Sequence, residues 1–227
     1  MKTAFQNKDL ALYIDHTLLR ADASSTEFKK ICQEAIQHHL YAVCVPGRFV
    51  KLVKSELLST RVKVAAVIGF PLGNQTSVSK AFETSIAVED GADEVDMVIS
   101  LGGIREKNWT YVTEDIQSVV KAAKGKAVKV ILETHLLNQE EKVKAIESAI
   151  QAKAHFIKTS TGFSGGGATL EDISLMKTVA AGRIKIKASG GVKSFDQAVG
   201  LIQAGADRIG TSSGVALVTN SVVSGGY

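Results

Sequence analysis

Four segments of this 227-residue chain repeat one pattern: HHLYAVCV, DGADEVDMV, AKAHFIKTS and AGADRIGTS. Each closes an amphipathic helical pattern and leads into a run that reads as a buried strand, with Tyr41, Asp93, His155 and Asp207 at equivalent positions. Those positions are separated by 52, 62 and 52 residues. A βα unit occupies roughly 30 residues, so each interval holds two units and the four segments are alternate strands. The strands between them fall at Tyr13 to Thr17, Val62 to Ile68, Val128 to Leu132 and Arg183 to Ala188. Eight strands alternating with helices predict an α/β protein, a (β/α)8 TIM barrel. The barrel is expected to take the whole chain, residues 1–227, as one domain with a short N-terminal helical segment and a flexible C-terminal tail. The longer interval predicts an enlarged loop around Gly102 to Tyr111.

Helix starts support the same division. Ser24-x-x-Glu27, Asn138-x-x-Glu141 and Ser194-x-x-Gln197 each place a capping side chain ahead of an apolar period. A doubly wound open sheet is the competing architecture, but no Gly-x-Gly-x-x-Gly turn opens a first helix. The glycine-rich run Gly162 to Gly167 lacks the lysine and hydroxyl of a nucleotide-binding P-loop.

Composition narrows the function classes. Apolar residues make up 45% of the chain and charged residues 22%, which suits a globular core, and no apolar stretch approaches the roughly 20 residues of a membrane helix. Asp9, Asp15 and His16 interrupt the region where a signal peptide needs apolar residues, and Cys32 and Cys44 form no disulfide framework, so a cytoplasmic protein is expected. A net charge of +4 with scattered basic residues and 6% aromatics gives little basis for a nucleic-acid face, and no membrane partner is expected.

Catalytic groups of a barrel sit at the C-terminal ends of its strands. There the chain offers Asp15, Asp96, Glu133, Lys158 and Lys187 on strands one, four, five, six and seven. Alternation along each strand adds Glu94, Lys129 and Lys185 to the inward face. Four acids then meet four bases, which is what burial of charge requires. A lysine at a strand end is ordinarily a solvated rim residue. Lys158, framed by Phe156, Ile157 and Thr159, and Lys187, between Ile186 and Ala188, have settings that favour burial. Two lysines about 5 Å apart on adjacent strands repel when both are charged, so one is expected to be neutral near pH 7 and nucleophilic toward a carbonyl. Spacing alone leaves open which of the two it is.

Barrels commonly hold phosphate on the loops after strands seven and eight. Ser189, Gly190 and Gly191 follow the first of these strands, and Gly210 to Gly214 follow the second, with Ser212 and Ser213 presenting hydroxyls. Simple turn chemistry is the alternative for each loop. His16, His38, His39, His135 and His155 lack ligand spacing, so no metal and no cofactor are expected. Cys44, at a strand end, is either a pocket residue or a buried structural cysteine.

YIDHTLL, VIGFPLG, GADEVDMVI, KVILET, FIKTSTGF, IKASGG and AGADRIGTSSG, spread along nearly the whole chain, closely resemble the deoxyribose-phosphate aldolase family of class I, Schiff-base enzymes. The resemblance implies that Lys158 forms the Schiff base, that Lys187 perturbs it, and that Asp96 shares proton transfer with Lys187. It further implies supporting roles for Asp15 and Cys44, a phosphate seat at Gly190, Gly191, Ser212 and Ser213, and a small phosphosugar and acetaldehyde as reactants. Deoxyribose phosphate catabolism and a homodimer are implied as well. Tyr227 matches family members in which a terminal tyrosine assists proton transfer. Phe163 departs from members that carry a lysine there, which shifts phosphate recognition toward backbone amides. Arg48 is either a substrate contact or a rim charge. Two other functions fit the same barrel. One is a phosphosugar isomerase or lyase using Asp96 and Glu133 without a covalent step, and the other is a noncatalytic phosphosugar-binding barrel.

Overall fold

The structure, a computed structural model, describes residues 7–221. Eight parallel strands close into a barrel in chain order: β1 (Ile14–Thr17), β2 (Ala42–Pro46), β3 (Lys63–Ile68), β4 (Glu94–Val98), β5 (Ala127–Ile131), β6 (Phe156–Lys158), β7 (Lys185–Ser189) and β8 (Arg208–Thr211). The helices are α1 (Asn7–Ala11), α2 (Ser25–Gln37), α3 (Val50–Glu56), α4 (Ser77–Glu89), α5 (Leu101–Arg105), α6 (Trp109–Ala122), α7 (Gln139–Gln151), α8 (Leu170–Ala180), α9 (Phe195–Ala204) and α10 (Gly214–Thr219). Among the described residues no helix is long and apolar enough to cross a membrane.

The repeat has a structural cause. Its segments become β2, β4, β6 and β8, and at three of the equivalent positions the side chain accepts a hydrogen bond from the strand before. Asp93 Oδ2 accepts from Val64 N at 3.0 Å, His155 Nδ1 from Val128 N at 3.1 Å and Asp207 Oδ2 from Ile186 N at 2.8 Å. The backbone N–H of each donates in turn to the carbonyl of the same partner, at 2.8, 2.9 and 2.7 Å. These reciprocal bonds satisfy strand-start groups that would otherwise lack partners. Tyr41, the fourth equivalent, instead lays its ring 3.5 Å from the Arg208 guanidinium carbon.

Ser24 and Asn138 form reciprocal capping boxes at α2 and α7. Ser194 accepts from Gln197 N at 3.2 Å, but the Gln197 side chain turns to Lys193 N, so that box is only half made. The enlarged segment after β4 is not an open loop. It is α5, capped by Ser100.

Strand alternation divides the buried residues into two sets. One face of each strand packs against the helices, where Val43, Val64, Met97, Val130, Ile157 and Ile209 belong to a single apolar layer with Phe28 and Ile116. Burying each such side chain contributes about 1.5–3 kcal/mol. The opposite face, inside the barrel, has an apolar patch of Leu19, Cys44, Ala65 and Val67 with Phe70 against it, and the strand phase adds Ala42, Val98, Ile131 and Phe156 to that face. The remaining interior is largely ionic.

Candidate active site

Sheet register brings the ionic side chains together. Asp96 on β4 is paired with Lys129 on β5, and Lys158 on β6 with Lys187 on β7. Asp96 stands at the centre of the cluster. Its Oδ2 accepts from Lys158 Nζ at 3.0 Å and from Lys187 Nζ at 2.7 Å, while Oδ1 accepts from Lys129 Nζ at 2.7 Å. Asp15 on β1 accepts from Lys187 and Arg208, and Glu94 contacts Lys129 at 2.6 Å and Arg208 at 3.3 Å. All of these side chains are buried.

The pKa values of the two adjacent lysines are pushed in opposite directions because their remaining neighbours differ. Burial lowers the Lys158 pKa, Asp96 opposes that effect, and the Lys187 charge adds to the lowering. Burial also works against charge on Lys187, but Asp15 and Asp96 together outweigh it and raise its pKa. Burial likewise disfavours the Asp96 anion, yet Lys129, Lys187 and Lys158 hold it well below the usual carboxylate range. Asp15 is depressed in the same way by Arg208, Lys187 and Lys129. Cys44 is fully buried and its thiol is pushed up, first by burial and then by Asp96, so it presents a neutral wall.

Two expectations about the interior need correction. Lys185 has the right strand phase but starts β7 at the N-terminal mouth, where it is exposed, its Nζ 5.6 Å from the Phe156 ring centre. Arg208, at the start of β8, is the buried cation instead. Its alternation with Gly210 was the available signal, because both share the inward face. A Cβ at Gly210 would come within 2.9 Å of Lys187 Cε, so the glycine makes room for that lysine. Glu133 also leaves the lysine cluster. β5 ends at Ile131, and a left-handed backbone at Glu133 carries its carboxylate to Thr161 and Ser164.

Lys158 opens into a cavity of about 260 Å³ that Gly190, Gly191, Ser212 and Ser213 also line. The proposed nucleophile and both candidate phosphate loops therefore share one space. Lys193 lines it too, a cation that the sequence reading did not single out and whose position just past Gly191 could have suggested it. Phe163, on the wall, meets Phe70 edge to face with ring centres 5.3 Å apart. Arg48 is exposed and leans over Phe49, away from the cavity lining. Tyr227 lies outside the described residues. Among the described residues no group of three or more His, Cys, Asp or Glu is placed to hold a metal ion.

The family described as DeoC/LacD family aldolase matches residues 10–220. A deoxyribose-phosphate aldolase of Bdellovibrio bacteriovorus is 50% identical over 96% of this chain and 99% of its own length. One of Finegoldia magna is 53% identical over 92% of this chain and 99% of its own. Among solved structures, a tetrameric deoxyribose phosphate aldolase from Aeropyrum pernix superposes with a TM-score of 0.89 at 32% identity, covering 95% of this chain and 92% of that one.

Proposed function

The chain belongs to the DeoC/LacD aldolase family, and from that premise we propose that it reversibly cleaves 2-deoxy-D-ribose 5-phosphate to acetaldehyde and D-glyceraldehyde 3-phosphate through an imine on Lys158. One observation carries the reading: a buried lysine of lowered pKa opens into the same cavity as the two phosphate loops.

The steps follow from the placement. The neutral Lys158 amine adds to the substrate aldehyde and loses water, giving an iminium ion. Cleavage of the bond between carbons 2 and 3 sends its electron pair to the iminium nitrogen, while a base takes the proton of the carbon 3 hydroxyl. We assign that relay to Asp96 and Lys187 acting through water. Asp96, held ionised by three lysines, is a weak base alone, and the proton it takes at Oδ2 moves on as the Lys187 ammonium, 2.7 Å away, gives one of its own protons to water and is reprotonated from Oδ2. The resulting enamine is protonated at carbon 2, and hydrolysis of the imine releases acetaldehyde and restores Lys158. Asp15 supports the relay by holding Lys187, and Cys44 supports it as a neutral wall beside Lys158. Phosphate bound by Gly190, Gly191, Ser212 and Ser213, with Lys193 nearby, would hold the reacting carbons against Lys158.

Borohydride reduction in the presence of acetaldehyde, followed by peptide mass mapping, tests the assignment. An ethyl group on Lys158 alone is the expected result. Labelling of Lys187 would reverse the two roles. Labelling of neither would remove the imine mechanism in favour of an isomerase, a noncovalent lyase or a binding barrel.

The reading extends to deoxyribose phosphate catabolism by one barrel domain comprising residues 1–227. Two free, buried cysteines, Cys32 and Cys44, suit a reducing cytoplasm. Tyr227 is assigned to proton delivery at carbon 2, and a deletion that left solvent-proton exchange into acetaldehyde unchanged would remove that role. A homodimer is also part of the proposal. Val78, Phe82 and Ile86 form an exposed stripe on α4, a surface that a second copy would cover. Sedimentation equilibrium should give twice the chain mass, falling toward the monomer in Phe82→Glu.

A further inference from the structure

Among the described residues, eight non-glycine positions have positive φ. Seven follow helices, where a left-handed residue is an ordinary way to end the element. The eighth, Glu133 (φ 55°, ψ 58°), follows a strand at the C-terminal mouth of the barrel. A non-glycine residue held there by its surroundings is where a functional constraint is to be sought.

The carboxylate shows what is being held. It is fully buried and does not line the cavity. Oε2 accepts from Thr161 Oγ1 at 2.5 Å and from Ser164 Oγ at 3.2 Å, and both oxygens lie 3.3 Å from Thr161 N. Thr161 Oγ1 in turn accepts from Phe163 N at 3.1 Å. Behind the carboxylate, His135 Nε2 lies 2.7 Å from the Ser164 carbonyl, and the His135 ring fills the space that a Cβ at Gly166 would need. The far end of the same segment docks on a phosphate loop. Ala168 N donates to Gly190 O at 3.0 Å, and a Cβ at Gly167 would come within 2.6 Å of that carbonyl.

We propose that Glu133 is a positioning residue for the phosphate half of the cavity, clamping residues 161–168 against Gly190 so that one wall of the site is fixed before substrate arrives. It touches no reacting atom. Its effect passes through the segment and should therefore be felt by substrates that carry a phosphate and hardly by those that do not. The inference rests on the reading of this cavity as the 2-deoxy-D-ribose 5-phosphate site.

The test compares kcat and KM for 2-deoxy-D-ribose 5-phosphate and for unphosphorylated 2-deoxy-D-ribose in the wild type, Glu133→Gln and Ser164→Ala. Glu133→Gln is expected to raise KM for the phosphorylated substrate by about tenfold, with kcat/KM for the unphosphorylated sugar changing far less. Ser164→Ala, which removes one bond at the half-buried end of the clamp, should shift the same ratio by a smaller factor and keeps the test available if Glu133→Gln fails to fold. Equal losses on both substrates, or a lowered melting temperature with an unchanged ratio, would make Glu133 a merely structural residue. A wild type that did not cleave 2-deoxy-D-ribose 5-phosphate would overturn the function reading itself, and the inference with it. An active wild type with variants of unchanged ratio would overturn the inference alone.

Discussion

Lys158 and Lys187 are chemically identical and directly paired across adjacent strands, yet they are pushed in opposite directions. The difference lies in their anions. Lys187 has Asp15 and Asp96, whereas Lys158 has only Asp96, whose Oδ2 it shares with Lys187. This arrangement predicts two pH shifts of opposite sign. Asp96 favours the charged form of Lys158, so Asp96→Asn should lower the lysine pKa further and move borohydride trapping of the acetaldehyde imine to lower pH. Lys187 disfavours that charged form, so Lys187→Met should move trapping to higher pH. Asp96→Asn should also separate binding from turnover, retaining the imine while sugar cleavage falls by about 10²–10⁴-fold for loss of the proton relay. Trapping profiles of the three proteins from pH 5 to 10 measure both effects, and shifts in the same direction would break the assignment of neighbours. The choice of Lys158 over Lys187 was not visible in strand spacing, which treats the two alike. It depended on the family resemblance in the sequence and on the count of anions around each amine in the structure.

Elements bring these residues into reach, and the alternation of strands was readable because its period is only two residues. Alternation tells which side of a strand a residue faces and says nothing of its depth. Lys185 was therefore placed inside although it sits at the open mouth, and Glu133 was phased with Lys129 although β5 stops before it. A second buried pair, off the barrel axis, joins elements behind the site. Lys80 on α4 contacts Asp115 on α6 at 2.6 Å and donates to Val98 O at 3.0 Å, tying both helices to the end of the strand that carries Asp96. Both side chains are fully buried. Removing one partner strands the other charge, so Lys80→Met and Asp115→Leu should each cost about 3–5 kcal/mol in urea unfolding. The double variant Lys80→Met/Asp115→Leu, with no charge left uncompensated, should be more stable than either single one. A double variant whose loss equalled the sum of the two would mean that the elements are joined by packing and not by the pair.

At the scale of the whole molecule the barrel inverts the usual arrangement, with its apolar layer outside the strands and much of its interior given to charge. The fold could be read from the sequence because the outer layer and the repeat obey simple periods, but the expected match of four acids to four bases does not hold, since three acids, Asp15, Glu94 and Asp96, meet four bases, Lys129, Lys158, Lys187 and Arg208. The membership of the interior, Arg208 in place of Lys185, turned on depth, since Arg208 lies level with Lys187 whereas Lys185 lies two residues nearer the N-terminal mouth, and alternation gives the face but not the level. An interior of this kind makes stability depend on pH in a defined way. Asp15 and Asp96 have depressed pKa values when folded, so their contribution is present above the unfolded carboxylate range and is lost as pH falls through the folded values. Lys187 and Lys129 are raised, so theirs is complete below the unfolded lysine range and is lost only as pH rises through the folded values. Lys158 has the opposite sign. Its folded pKa is lowered, so the charged form costs stability at low pH, and that cost fades as pH rises toward the unfolded lysine value. Lys158→Met should therefore abolish activity yet raise the melting temperature, more at pH 6 than at pH 9, because Lys129 and Lys187 remain to compensate Asp96. Thermal melts of the two proteins at both pH values decide the matter. A variant less stable than the wild type at pH 6 would mean that Lys158 holds the barrel together, whereas a more stable one would show that the fold bears the destabilising effect of its own nucleophile.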